Sequence, residues 1–149
     1  MIQRIQSVYL FLSALIMSLL FFFQIADFPG IWDFYIWKLT DGTTTIYTFP
    51  IAILASMSIL ISIITIFFYK NRAMQIKLCM LNFLFILILL ILVFWIYPDF
   101  IFNNQFGDNP AVDYNVTIYL PIVSFIFILL ANKAIRKDDK LIKSTDRLR

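Results

Sequence analysis

Leu78 to Tyr97 reads LCMLNFLFILILLILVFWIY, twenty residues without a charge, held between Lys77 and Asp99. A helix of about 20 apolar residues is what a hydrocarbon core of about 30 Å requires. In lipid, each backbone N–H and C=O must find its partner within the segment, so the stretch reads as a transmembrane helix. Three other segments share the pattern. Ile5 to Ala26 lies between Arg4 and Asp27. A second begins near Ile46 and ends at Tyr69, before Lys70. The last runs from about Tyr114 to Asn132, before Lys133.

Composition agrees with this reading. The 149 residues allow one domain. Hydrophobic residues make up 62% and charged residues 14%, against roughly 45–50% and about 25% in soluble domains. A chain this small has too few charges to cover its surface in water. The expected fold is an all-α membrane protein, a four-transmembrane-helix bundle in a single domain. Its helices are placed at about 5–26, 46–69, 77–97 and 114–135, with a basic helical tail over 133–149. The first segment has the basic start of a signal peptide. However, Phe21-Phe22-Phe23-Gln24-Ile25 stands where small residues would mark cleavage, so a retained anchor is expected.

The loops give an orientation. Arg4 precedes the first segment, and Lys70, Arg72 and Lys77 fill the second loop. Lys133, Arg136, Lys137, Lys140, Lys143, Arg147 and Arg149 follow the last segment. Only Lys38 of the 12 basic residues lies elsewhere. Asp27, Asp33, Asp41, Asp99, Asp108 and Asp113 fall in the first and third loops. The positive-inside rule then puts both termini and the second loop in the cytoplasm.

In the first loop, Ile31 to Leu39 and Thr43 to Phe49 are rich in aromatic and β-branched residues, with Asp41-Gly42 between them. Asp-Gly suits a two-residue type I′ turn, so a short β-hairpin on the outer membrane face is expected. Trp32, Tyr35, Trp37 and Tyr47 would then form an interfacial aromatic belt. The third loop, Pro98 to Asp113, is full of turn formers and predicts little regular structure. In the tail, Ile135, Leu141, Ile142 and Leu148 fall near one helical face. Asp139 and Lys143 add an i,i+4 pair.

Candidate functional residues are few. Ala55, Ser58, Ser62 and Thr65 form a small-residue stripe in the second helix, and Ala14 and Ser18 form a shorter one in the first. Such stripes let helices approach closely, so they read as a packing seam before a polar pathway. Gln75, Cys79 and Asn82 share a face of the third helix. With Asn132, Gln3 and Gln6 they place amides at the inner ends of the bundle, as interhelical glue or a polar cluster. Cys79 reads as a small buried residue. Gln24 sits near the outer interface, and Pro121 marks a kink or an outer first turn. Arg4, Lys70, Arg72, Lys77, Arg136, Lys137, Lys140, Lys143 and Arg147 are candidate contacts for anionic lipid or a partner. That partner would be a membrane protein or a second copy of the chain; nucleic acid is not expected. The six loop aspartates lack any metal-binding spacing and read as solvated charge.

Absences exclude several chemistries. The chain has no histidine, no glutamate and one cysteine. That rules out bis-histidine haem, histidine-held metals, a Ser-His-Asp triad and a CxxC redox pair. No ionisable residue lies deep in a segment, which disfavours proton-coupled transport. No catalytic, cofactor or metal site is expected, and the chain does not read as an enzyme.

Several stretches together are familiar. They are Met1-Ile2-Gln3-Arg4-Ile5-Gln6-Ser7-Val8-Tyr9-Leu10, Tyr69-Lys70-Asn71-Arg72, Gln75-Ile76-Lys77-Leu78-Cys79 with Leu81-Asn82, and Leu120-Pro121. The last two are Ala131-Asn132-Lys133-Ala134-Ile135-Arg136-Lys137-Asp138-Asp139-Lys140-Leu141 and Asp146-Arg147-Leu148-Arg149. In these the chain resembles the bacterial membrane family called domain of unknown function 4293. Asp139 and Thr145 stand where that pattern has glutamate and alanine. The resemblance implies a four-helix inner-membrane protein and no activity. Its matching residues lie mostly at the cytoplasmic end. The expected role is a non-enzymatic accessory or interaction subunit working through that basic face. The alternative is transport or binding of a small solute or lipid in a neutral polar cavity between helices.

Overall fold

The structure, a computed structural model, describes residues 3–28, 32–40, 45–69, 71–97 and 113–146. Among these, four helices form the body: α1 (Gln3–Leu19), α2 (Phe49–Phe67), α3 (Arg72–Ile91) and α4 (Leu120–Asp146). Leu92–Ile96 extends α3 by a π-helical turn, and Val116–Tyr119 leads into α4 as a 3₁₀ turn. α1 packs on α2 and α4, and α3 packs on the same two, which closes a four-helix ring.

Three helical stretches are long and apolar enough to cross a membrane: Phe49–Phe67, Arg72–Ile96 and Val116–Ile142. The first helix is shorter than the sequence predicts, ending at Leu19 instead of near Ala26. Its 17 residues span about 25 Å. Tight i→i+3 turns then carry the apolar run onward, with the N–H groups of Leu20, Phe21 and Phe22 bonded to the carbonyls of Met17, Ser18 and Leu19. Helix gives way because the following residues are claimed by a sheet.

The hairpin expected around Asp41-Gly42 is present, but as part of a larger sheet. It has five antiparallel strands in the order β4-β3-β2-β1-β5. The strands are β1 (Ala26–Phe28), β2 (Trp32–Phe34), β3 (Lys38–Thr40), β4 (Thr45–Tyr47) and β5 (Asp113–Tyr114). Thr40 pairs with Thr45, leaving residues 41–44 between the strands where the sequence predicts a two-residue turn. Asp41-Gly42 itself lies outside the described residues. β5 comes from the third loop, where no strand is expected; the rest of that loop also lies outside the described residues.

The sheet closes one end of the bundle. Ile25, Ala26, Phe34, Ile36 and Leu39 are buried in the same core as Met17, Ile51 and Val93, and the Phe34 ring stacks on Tyr97 at 5.9 Å. Thr48 Oγ1 donates to the Ile36 carbonyl at 3.0 Å, tying the start of α2 to the sheet. Trp37 and Tyr47 are exposed and Tyr35 is half-buried. The Nζ of Lys38 stands 5.4 and 5.2 Å from the Tyr35 and Trp37 ring centres, within cation–π range.

At the other end, α2 and α3 join through residues 68–71. Asn71 caps α3, its Oδ1 accepting from the Met74 N–H at 3.2 Å. α3 therefore starts at Arg72, and Lys77 lies within a helix instead of a loop. Pro121 sits in the first turn of α4, where its missing N–H costs no helical bond. α4 runs without a break into the predicted tail as far as Asp146.

Each helix is apolar on two sides. Leu10, Ala55, Ile86 and Ile128 face the core, while Phe11, Leu60, Leu84 and Leu130 are exposed. An apolar outer surface of this extent suits a lipid or protein neighbour, not water.

Candidate functional site

The polar residues of the interior sort into seams. Between α2 and α3, Ser58 Oγ donates to Asn82 Oδ1 at 2.6 Å, and Asn82 Nδ2 donates to Ser62 Oγ at 2.7 Å. Nearer the α2–α3 connection, Gln75 Nε2 donates to the Thr65 carbonyl at 3.0 Å. Thr65 Oγ1 bonds back to the Ile61 carbonyl at 2.6 Å. All five side chains are buried. The stripe and the amides of α3 thus satisfy one another.

Replacing Asn82 with leucine should cost about 1 kcal/mol, because two interhelical bonds of about 0.6 kcal/mol each disappear. Unfolding in a detergent titration measures this. Ser62→Ala should cost less in the Asn82→Leu background than alone, since its partner is already gone.

A second seam, between α1 and α4, carries residues that sequence reasoning missed. Ser13 Oγ and Ser124 Oγ are 2.9 Å apart, and Ser124 Oγ lies 3.2 Å from the Ser13 carbonyl. Both are fully buried. A single serine in an apolar helix carries no spacing signal, so only the packing reveals the pair.

The end of the bundle opposite the sheet is clasped by a buried carboxylate. Asp138 is 6% exposed and accepts a hydrogen bond from Gln6 Nε2 of α1. Its backbone carbonyl accepts from Arg72 Nη1 of α3 at 2.9 Å. Three helices meet at this one residue. In the sequence Asp138 reads as one of several tail charges, and nothing distinguishes it from Asp139.

Asn132 does not join the amide cluster expected from the sequence. It is half-buried, and its Oδ1 accepts from Arg136 Nε at 3.2 Å on the same helix. It borders two clefts instead. One, about 450 Å³, is lined by Leu129, Asn132, Lys133, Arg136, Lys137 and Lys140. The other, about 220 Å³, lies between α3 and α4 against Cys79, Met80, Phe83, Ile128, Leu129 and Asn132. Lys77, Arg136, Lys137 and Lys140 are exposed and Arg72 is half-buried. Lys70 and Arg147 lie outside the described residues, and of Arg4 and Lys143 only the helical backbone is described.

At the sheet end, register brings Asp33, Asp27 and Asp113 into one row across β2, β1 and β5. Like charges directly opposite one another repel. Amide donors offset this: Gln24 Nε2 bonds Asp27 and, at 3.2 Å, Asp33, while Asn115 Nδ2 reaches Asp27 at 3.3 Å. Among the described residues no group of three or more His, Cys, Asp or Glu is placed to hold a metal ion.

The family described as Domain of unknown function (DUF4293) matches residues 2–148, nearly the whole chain. No curated protein matches it.

Proposed function

Since the chain belongs to the DUF4293 family, whose description assigns no activity, we propose its role from its own geometry. It is a four-pass bacterial inner-membrane protein with both termini in the cytoplasm, and a non-enzymatic accessory subunit that engages a partner through its basic inner end. The observation that carries this reading is the overhang of α4. Asp138 stands level with the inner ends of α1 and α3, through Gln6 and Arg72. The helix continues to Asp146, about 12 Å further. There Leu141 and Ile142 are exposed although the bundle beneath has ended. An apolar pair among basic residues, held on a rigid helix beyond the bundle, suits a protein contact more than solvent.

The crossing of α1 is supported by the turns that extend its apolar run, and the orientation by the sorting of basic residues. A reporter fused after Arg149 should read cytoplasmic, and one inserted at Asp108 should read outside. Truncation after Lys140 keeps every bundle contact of α4 described above. It should still abolish partner crosslinks captured in native membranes. Unchanged crosslinks would defeat the proposed role.

A further inference from the structure

We propose that the flank of α4 is a specific site for an anionic phospholipid, with the headgroup phosphate on Lys133, Arg136 and Lys137 and an acyl chain in the α3–α4 groove. The two clefts beside Asn132 are neighbours, since Leu129 and Asn132 line both. One half of the combined groove is apolar, formed by Cys79, Met80, Phe83 and Ile128. Its outer part is bounded by Phe83 packed on Phe125 at 4.3 Å between ring centres. The other half carries four cationic side chains within about 10 Å of helix, and among the described residues no acidic one lines it.

The change of character falls where a bilayer changes. Lys133 is the first charge on the chain after Asp113. Below it α4 is apolar; from it onward the stripe 133, 136, 137, 140 is basic at helical spacing. A free phosphate would use only the basic half, and a neutral lipid only the apolar half. An amphiphile with a negative head uses both at once, with its phosphate drawn to the basic side chains. Asn132 stands at the junction, with its amide oxygen holding Arg136 Nε at 3.2 Å so that the guanidinium stays beside the groove.

The site rests on the membrane residence proposed above but not on the protein partner. Residues beyond Lys140 take no part in it, so loss of one property leaves the other measurable. The test is native mass spectrometry of the full-length protein released from detergent with dioleoylphosphatidylglycerol or dioleoylphosphatidylcholine. At equal concentration the anionic phosphatidylglycerol should be retained about tenfold more, and the combined Lys133→Gln, Arg136→Gln, Lys137→Gln variant should lose that preference. Met80→Trp, at a half-exposed position, should fill the apolar half and reduce retention of the same lipid. Thermal unfolding should be unchanged in both variants because the altered side chains are exposed. Equal retention of the two lipids, or undiminished retention by the triple variant, would overturn the proposal. So would full competition by soluble glycerol 3-phosphate, which would mark a plain anion site. A lipid-free dimer that Met80→Trp dissociates would assign the groove to a second copy of the chain.

Discussion

Ala131→Phe is expected to destabilise the bundle by about 3 kcal/mol, near the upper end of what overpacking a filled core costs. Ala131 has no exposed surface. It lies on the same face of α4 as Ser124, Ile128, Ile135 and Asp138, all of them buried. Ser13–Ser124 on one side and Gln6–Asp138 on the other hold α1 against that face. A phenyl ring between these two ties cannot be relieved by a local shift, so α1 and α4 must part or the ring must leave its rotamer. The neighbouring change Leu130→Phe falls on the outer side, where Leu130 is 40% exposed, and should be near neutral. Detergent-titrated unfolding of the two variants measures the difference, and equal effects would deny the seam.

Asp138→Ala should cost about 1–3 kcal/mol, the penalty for leaving a buried polar partner unsatisfied. The partner is the Gln6 amide, itself buried at 6% exposure. Asp138→Asn keeps an acceptor oxygen for that amide and should recover most of the loss. The contact from Arg72 goes to the backbone carbonyl and survives either change. Because the clasp roots the overhanging end of α4, its removal should also speed tryptic cleavage after Arg136 and Lys137, through local opening of the last turns. Cleavage at the wild-type rate would mean the helix end is held by other contacts.

Much of the architecture was legible before any coordinates. Uncharged runs of spanning length locate the helices, since lipid enforces a single rule on every residue within it: backbone groups pair internally and charges stay out. The stripe of Ser58, Ser62 and Thr65 was legible as a seam too. Small polar residues repeated on one helix face let a neighbouring helix approach and bond across the contact.

What the linear pattern did not contain was anything that depends on two distant segments meeting. α1 ends at Leu19 with no glycine or proline to stop it; strand pairing with β2 and β5 draws Ala26 out of the helix. β5 exists only because Asp113 and Tyr114 find Asp27 and Ala26 beside them. Asp138 became a clasp because Gln6, 132 residues away, comes within reach. The sequence places Asn132 level with the other amides, but its angle around α4 turns it toward the groove. Hydropathy determines depth in a bilayer, because it is a sum over local transfer energies. Which neighbour a buried polar group meets at that depth is a property of packing, and only the tertiary structure decided it.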